Sequence, residues 1–379
     1  MKSSPITAGF LTLASHHAVL AGAAECECGY TVNKTSNSQF ALFTDYYESD
    51  FLHVATSGNG SMLFPWLRQE ANISAEESRS FGMWAQLANV KYNFLDDGEW
   101  ESGEPVEPAA DAGTQLLVRH ELKDNLVPVA WIASPPGDIV YGSFRAAIKF
   151  TGVNGTCGRF HWRNNNRTQT IEIDFLSKDP KTLHLDVSSG DSNDTNASSS
   201  TTAWSSTNDF PQGFHEYRFD WMPDRVDFYV DSLLVWTTTK NIPDSPGHLM
   251  LNHWSDGNPD GSGGPPMEDA VMTVTYVKVY FNTTASYSEP KPECRVLNAD
   301  DVCVVPDQTS PPEPQGKTHF YSKWHEEHED DEGDSTFVAS GSDAELDAKS
   351  DHSSAASFDV SSLVWYFVGA VCSIVYCLA

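Results

Sequence analysis

The chain has 379 residues, a formal net charge of −30 and 12% aromatic residues. This length is enough for one large domain with a proper core and additional segments. The charge argues against a nucleic-acid partner, because a polyanion is repelled by phosphate, whereas a neutral glycan is compatible with an acidic, aromatic-rich protein. No motif predicts a cofactor or a metal site, and the oligomeric state cannot be predicted.

The N-terminus has the pattern of a secretory signal peptide over residues 1–24. Lys2 is the only charge there, an apolar stretch covers 6–20, and small residues at 21–24 offer cleavage sites. A buried helix is the alternative interpretation. Secretion agrees with seven Asn-x-Ser/Thr sequons, which predict N-glycosylation. They lie at Asn33, Asn72, Asn154, Asn166, Asn193, Asn196 and Asn282.

Residues 25–285 contain nearly all of the strand-like patterns. Short apolar or alternating runs are separated by turn signals such as Pro135-Pro136-Gly137-Asp138. Many short strands with spaced turns predict an all-β sandwich or jelly roll. The Ser/Thr/Asn-rich stretch 188–208 is interpreted as a glycosylated surface loop. The extended runs are 115–122, 139–150, 158–163, 171–176, 215–221, 226–230, 249–254 and 271–281.

The cysteines outside the C-terminal tail predict disulfides, which persist outside the cell. Cys294 and Cys303 close a short loop within a Cys-containing extension, 286–304, and are the expected pair. Cys26 or Cys28 is expected to pair with Cys157, although connectivity cannot be read from sequence. A zinc site is disfavoured because Cys26 and Cys28 lack a second Cys/His pair at ligand spacing.

The C-terminal part predicts a stalk and an anchor. Residues 305–360 are rich in Pro, Ser and acidic residues, a composition that predicts a disordered acidic stalk. Residues 361–379 form an apolar segment without a following Lys or Arg. With small residues upstream at 353–357, this pattern is typical of a glycolipid-anchor signal, and a single-pass helix is the alternative. We therefore expect a secreted protein at the cell surface or wall, held at the plasma membrane.

One strand carries the candidate chemistry. In residues 168–177 polar and apolar residues alternate, so Thr170, Glu172 and Asp174 are predicted to share one face. Retaining glycosidases place two carboxyl groups about 5 to 5.5 Å apart. Residues i and i+4 on a strand have Cα atoms roughly 13 Å apart, a gap that two converging Glu side chains can close. Here the i position is a threonine and the i+4 position is the shorter aspartate.

Beyond this strand, the chain resembles the secreted fungal members of glycoside hydrolase family 16, whose fold is a concanavalin-like β-jelly-roll sandwich. Such members often read Thr-Gln-Glu-Ile-Asp-Ile-Glu-Phe-Leu-Ser through the active strand. The chain keeps Thr-Gln at 168–169 and Phe-Leu-Ser at 175–177, and further matches lie at 141–145, 214–221 and 248–255. The resemblance covers most of residues 30–285. It implies an enzyme that hydrolyses O-glycosyl bonds in β-glucan, either as a hydrolase or as a transglycosylase.

The resemblance also implies roles for single residues. The family nucleophile falls on Thr170, the helper on Glu172 and the acid/base on Asp174. An alternative register puts the nucleophile on Glu172, the helper on Asp174 and the acid/base position on Ser177. Glu172 and Asp174 as a new pair are a third interpretation. A purely structural interpretation has both acids in salt bridges with arginines of neighbouring strands, namely Arg145, Arg159 or Arg163.

The predicted sugar-binding residues are Trp254, with Asn252 and His253 beside it, and Trp162 with His161 before the acidic strand. Trp254 and one of the pair His161/Trp162 have core packing as their alternative. In the loop 258–266, Gly261 stands where the family often has an aromatic residue, so one sugar platform is expected to be absent. Two functions are therefore predicted: a β-glucan hydrolase with an altered catalytic motif, or a non-catalytic, lectin-like protein that binds wall glycan.

Overall fold

The computed structural model describes residues 26, 28–32, 41–52, 66–75, 80–94, 111–134, 137–190, 198–288, 294, 302–312, 318 and 320–321. The predicted signal peptide, most of the predicted stalk and the predicted anchor segment lie outside these residues. In the described ranges, no helix has the length and apolar character needed to cross a membrane.

The described chain is built almost entirely from β-strands. One short helix, α1 (Thr284–Ser288), and two 3-10 turns, Leu87–Asn89 and Phe210–Gln212, accompany them. The strands are β1 (Gly29–Thr31), β2 (Asp45–Asp50), β3 (Leu67–Arg68), β4 (Ala71–Ile73), β5 (Gly82–Ala85), β6 (Val90–Asn93), β7 (Gly113–Val118), β8 (Leu126–Ala133), β9 (Ile139–Lys149), β10 (Cys157–Asn164), β11 (Gln169–Leu176), β12 (Thr182–Ser189), β13 (Ser198–Ser205), β14 (His215–Met222), β15 (Arg225–Val230), β16 (Leu233–Thr238), β17 (Gly247–Trp254), β18 (Ala270–Thr283) and β19 (Val302–Val304).

The strands form two layers. The front layer has the order β13-β12-β11-β10-β17-β8, with β3 and β5 continuing beyond β8. The back layer has the order β16-β15-β14-β9-β18, and β2 and β7 both pair with the far side of β18. Most of these pairs are antiparallel. Gly247 of β17 and Ile139 of β9 link the layers at one corner.

The core lies between the two layers. Because side chains alternate along a strand, every second residue of β10, β11 and β14 points inward. Phe160 of β10 lies 5.3 Å from Phe219 of β14, and Trp162 lies 4.3 Å from Trp221, measured between ring centroids. Burying each such side chain contributes roughly 1.5–3 kcal/mol. The predicted all-β jelly-roll sandwich is confirmed.

One strand contradicts an expectation from the sequence. The stretch 188–208 was expected to be a surface loop, but Ser198–Ser205 forms β13, the edge strand beside β12. Its side chains alternate between exposed and half-buried, so hydroxyl groups replace the apolar residues of an ordinary strand. This composition concealed the strand, because Ser and Thr are typical of both loops and solvated sheet edges.

The cysteine pairing differs from the expectation. Cys26 is bonded to Cys303 and Cys28 to Cys294, so Cys294 and Cys303 do not pair with each other. Cys157 is a free, fully buried thiol. The reason is tertiary: β1 and β19 pair in parallel and bring the two ends of the domain together. Disulfides that link segments so distant in sequence restrict the unfolded chain strongly.

The first part of the predicted stalk lies against the back layer. The Pro306 carbonyl accepts a hydrogen bond from Arg145 Nη1 at 2.6 Å, and Asp307 pairs with Arg218 at 2.7 Å. Further along, the Tyr321 amide donates to Glu48 at 3.1 Å. The described residues between 302 and 321 therefore belong to the folded domain and cover part of its back face.

Candidate active site

The predicted row of polar side chains is present on the outer face of the front layer. Thr170, Glu172 and Asp174 point away from the core, as the alternation of β11 predicts. Each has a neighbour directly opposite on the two adjacent strands. On β10 the opposite residues are Arg163, His161 and Arg159; on β12 they are Ser188, Asp186 and His184. We call this face the front face.

Arg159 neutralises the acidic row. Its Nε and Nη2 atoms donate to the two carboxylate oxygens of Asp174, both at 2.6 Å, and its Nη1 lies 3.1 Å from Glu172 Oε2. Burial alone lowers the pKa of Arg159, but the charges of Asp174 and Glu172 outweigh it and raise the pKa above its usual range. The structural interpretation of the two acids is thus correct for Arg159, while Arg145 lies on the back layer.

Thr170 is held by hydrogen bonds rather than by charge. Its hydroxyl lies 2.8 Å from Ser188 Oγ and also bonds to the Glu172 carboxyl group. Since a threonine has one hydroxyl proton, a bond to the ionised Glu172 makes Ser188 the donor to Thr170. The position of the family nucleophile therefore carries a neutral group that stabilises the charge on Glu172.

Glu172 and Asp186 lie opposite each other on β11 and β12, and burial raises the pKa of both carboxyl groups. Burial raises the pKa of Glu172 to about 7, although Arg159 and the Thr170 hydroxyl lower it and Asp174 raises it further. Burial also raises the pKa of Asp186 to about 8, and the charges of Glu172 and Asp174 add to that rise. Both carboxyl groups therefore titrate close to neutral pH, the range suited to general acid and base work.

His161 lies directly opposite Glu172 on β10. The side chain is 3% exposed, and among the described residues its Nδ1 atom has no hydrogen-bond partner. Burial and the charges of Arg159 and Arg163 lower its pKa well below the usual value. The ring is therefore neutral and presents a polar atom that a ligand or a water molecule has to satisfy.

Two of the predicted sugar-binding residues lie on the front face. Asn252 is opposite Arg159 and half-buried, and its side-chain oxygen has no partner among the described residues. Trp254 is only 7% exposed, and the guanidinium carbon of Arg159 lies 5.9 Å from its ring centroid. Asn252 is therefore available to a ligand, whereas Trp254 mainly supports Arg159 and packs with Trp131 and Leu176.

The prediction is wrong for the other two sugar-binding residues, Trp162 and His253. Side chains alternate along a strand, and these two point into the domain interior. Arg159 faces the front, so Trp162, three residues later on β10, is fully buried in the core. His253 follows Asn252 and is likewise fully buried. Its ring bonds to the Leu116 carbonyl at 2.8 Å and to Thr156 Oγ1 at 3.1 Å.

Ser177, the acid/base position in the alternative register, does not lie in the row of Thr170, Glu172 and Asp174. Ser177 has the opposite parity to Glu172 and Asp174 and lies just beyond the end of β11. Its hydroxyl donates to the Thr156 carbonyl at 3.0 Å and accepts from the Thr156 amide at 2.9 Å. This side chain is therefore a structural link and has no free proton for catalysis.

In the loop after β17, Gly261 occupies the position where an aromatic sugar platform was expected to be absent. The loop is held there by its own hydrogen bonds. A Cβ atom at Gly261 would lie 3.0 Å from a carboxylate oxygen of Asp256. Asp256 is itself buried and accepts hydrogen bonds from the Ser262 hydroxyl and the Asn258 amide. The space beside Gly261 is thus filled by Asp256.

The predicted glycosylation sites divide into three groups. Asn72, Asn154 and Asn166 are exposed and accessible to a glycan. Asn282 is wrong as a site, because its side chain is buried and its Nδ2 donates to the Leu42 carbonyl at 3.1 Å. Asn33, Asn193 and Asn196 lie outside the described residues. Across the described part of the chain, no group of three or more His, Cys, Asp or Glu side chains is placed to hold a metal ion.

Asp186 was missed in the sequence. The signal was present as the alternation Leu183-His184-Leu185-Asp186-Val187-Ser188, a half-buried strand pattern directly after the acidic strand. What the pattern lacked was the register, which places Asp186 opposite Glu172 rather than opposite Thr170 or Asp174.

The strands that carry this site are similar to known proteins. Residues 130–278 match the family model described as Glycosyl hydrolases family 16. This part of the chain is similar to glycoside hydrolase family 16 domains. The matched range contains β9 to β17 entirely, and with them the whole front-face row.

Curated proteins similar to this chain include bacterial proteins named beta-glucanase. One from Acetivibrio thermocellus is 32% identical over 151 residues, which cover 38% of this chain and 43% of that protein. One from Brevibacillus brevis is 29% identical over 213 residues, which cover 51% of this chain and 78% of that protein. The chain spans less than half the length of the first curated relatives it matches, 43% to 48%.

Solved structures with a similar chain path include a Bacillus licheniformis beta-glucanase, with a TM-score of 0.48 and 19% identity over 62% of this chain and 97% of that chain. The laminarinase catalytic domain from Thermotoga maritima has a TM-score of 0.46 and 17% identity over 63% of this chain and 98% of that chain.

Proposed function

We propose that this protein is a β-glucan-acting glycoside hydrolase whose front face binds the glycan and whose Glu172 takes part in the reaction. The observation that carries the proposal is the position of Glu172: a carboxyl group with a pKa of about 7, at the centre of the polar face of a family 16 domain. The relatives named beta-glucanase support the substrate class.

The geometry argues against the usual arrangement of a retaining pair along one strand. Thr170 has no carboxyl group to attack the sugar, and loss of a nucleophile removes the step that makes covalent catalysis fast. Asp174 is held by two charge-assisted hydrogen bonds from Arg159, the stronger class of hydrogen bond, so its oxygens are already occupied. The proposed activity is therefore that of a family 16 domain with an altered catalytic motif.

Product analysis on a panel of β-1,3- and β-1,3-1,4-glucans tests the proposal. We expect soluble oligosaccharides from the wild-type protein and a decrease of at least 100-fold in Glu172→Gln, the order expected for loss of one acid or base group. Asp138→Asn is the matched control, because it removes an exposed carboxylate just before β9, outside the row on β11. An absence of products from the wild-type protein at every pH between 4 and 9 would refute a hydrolase.

A second candidate function is non-catalytic glycan binding, and the clamp of Arg159 on Asp174 favours it. A fixed ion pair presents guanidinium and carboxylate groups to sugar hydroxyls without supplying a mobile proton. This function predicts retention on immobilised β-glucan with no products, and weaker retention in Asn252→Ala, which removes a half-buried polar group of the front face.

We also propose a secreted, glycosylated protein of the fungal wall type, anchored at the cell surface by a glycolipid. The signal-peptide pattern at 1–24, the apolar segment 361–379 and the two disulfides support this location, because structural disulfides are typical of oxidising compartments. Release from cells by a phosphatidylinositol-specific phospholipase tests the anchor. Retention in the membrane fraction would instead indicate a single-pass helix.

A further inference from the structure

We propose that Glu172 and Asp186, on the neighbouring strands β11 and β12, form the catalytic acid pair of this domain in place of a pair along one strand. This inference rests on the proposed hydrolase function. It assigns Asp186 as the proton donor and Glu172 as the carboxylate that attacks the sugar.

The register supplies the geometry. Glu172 and Asp186 are directly opposite on the front face. Opposite residues of antiparallel strands have Cβ atoms about 4.5–5.5 Å apart, which suits two carboxyl groups at the retaining separation of about 5–5.5 Å. Glu172 and Asp174 are two residues apart on one strand, with Cα atoms roughly 6.6 Å apart, but Arg159 already occupies Asp174.

The surroundings assign the two roles. Arg159 Nη1, at 3.1 Å, and the Thr170 hydroxyl both stabilise a negative charge on Glu172, so Glu172 ionises first. For Asp186, burial and the charges of Glu172 and Asp174 outweigh the opposing charge of Arg159 and keep its proton in place. Asp186 is also half-buried rather than fully buried, so a substrate can reach it.

The groups that face this pair come from four strands. From β10 they are Arg159, His161 and Arg163, and from β11 Asp174 lies next to Glu172. From β13 Thr201 is opposite Asp186, and on β12 His184 is its neighbour on the same face. The Nδ1 atom of the buried His161 has no hydrogen-bond partner in the described part of the chain, an independent sign that the face binds a polar ligand beside Glu172.

The reaction would proceed in two balanced steps. In the first, Asp186 gives its proton to the glycosidic oxygen, the C1–O bond breaks with its electron pair passing to that oxygen, and a Glu172 oxygen forms a bond to C1. In the second, the Asp186 carboxylate takes a proton from water, the water oxygen bonds to C1, and the electron pair of the Glu172–C1 bond returns to Glu172. Water is the only co-reactant.

The pH dependence of kcat/KM for β-glucan hydrolysis tests the pair in the wild-type protein, Glu172→Gln, Asp186→Asn and the control Asp138→Asn. We expect a decrease of 100- to 10,000-fold in both pair variants and none in the control. Asp186→Asn should retain much more of its activity on a β-glucoside with an activated aryl leaving group, because such a group departs without a proton. Glu172→Gln should lose activity on both substrates.

The outcomes separate this inference from the proposed function. If the wild-type protein hydrolyses glucan while Asp186→Asn keeps its rate and its pH profile, the pair is refuted and the hydrolase stands. If Asp186→Asn loses activity equally on the natural and the activated substrate, its role as proton donor is refuted. If the wild-type protein releases no product, the hydrolase and the pair both fail.

Discussion

Asp186→Asn provides a test of the front-face electrostatics that does not depend on activity. In the folded protein the pKa of Asp186 is raised from 3.8 to about 8 by burial and by the charges of Glu172 and Asp174. When folding raises the pKa of a carboxyl group, the unfolded chain loses that proton at a lower pH than the folded protein does. Ionisation therefore favours the unfolded chain above the unfolded pKa. Stability is therefore lost as the pH rises from about 4, where the unfolded chain ionises, to about 8, where the folded protein does.

The size of the effect follows from the pKa difference. Each pH unit between the two pKa values costs about 1.4 kcal/mol, so the three units from pH 5 to pH 8 give about 4 kcal/mol as a ceiling. Asp186 is half-buried, and solvent screening reduces this figure to about 2 kcal/mol. An asparagine side chain has nearly the shape of the protonated acid but does not titrate, so Asp186→Asn removes this loss.

Chemical denaturation of the wild-type protein and the variant at pH 5, 7 and 9, with the disulfides intact, measures the difference. We expect the stability of the variant relative to the wild-type protein to rise by about 2 kcal/mol between pH 5 and pH 9. Asp138→Asn is the control variant for this measurement, because Asp138 is exposed and lies outside the row on β11. If the stability of the variant relative to the wild-type protein does not rise between pH 5 and pH 9, the assignment of Asp186 as a high-pKa group is refuted.

Three further predictions concern other parts of the domain. Arg159→Met should lower the free energy of unfolding by about 3–5 kcal/mol at pH 8, because it leaves two buried carboxylates unpaired. Arg119→Met, which removes an exposed ion pair, should cost less than about 1 kcal/mol. Equal costs for the two variants would contradict the buried ion pairs of Arg159. Cys157 should resist alkylation in the native protein and react after denaturation, because burial raises the pKa of its thiol well above the usual value; peptide mapping checks this, and rapid native labelling would contradict it. Reduction of the two disulfides should lower the denaturant midpoint and expose the segment 302–312 to protease, and an unchanged cleavage pattern would show that the disulfides do not hold this segment.

Local patterns in the sequence were sufficient for the fold class and for the acidic row. The alternation of residues 168–177 predicted that Thr170, Glu172 and Asp174 share a face, and the structure agrees. Alternation depends only on the geometry of a single strand, so no distant contact is needed to read it. If Arg159 and Asn252 face outward, the same alternation places Trp162 and His253 in the core, where the structure has them.

Pairings between distant segments were not available from these patterns. Cys294 and Cys303 are close in sequence, yet each bonds to a cysteine more than 260 residues away, because β1 lies beside β19. The edge strand β13 was interpreted as a loop, since its Ser and Thr residues form no apolar stripe. In both cases the deciding contact is made by a neighbouring strand.

The sequence by itself determined that this protein is an all-β sandwich with a row of one hydroxyl and two carboxyl groups on an outer face. Only the tertiary structure decided what that row can do. The register between β10 and β11 places Arg159 on Asp174, and the register between β11 and β12 places Asp186 opposite Glu172. A shift of one residue in either pairing would turn these side chains to the other face, so the chemistry of the site depends on strand register rather than on strand composition.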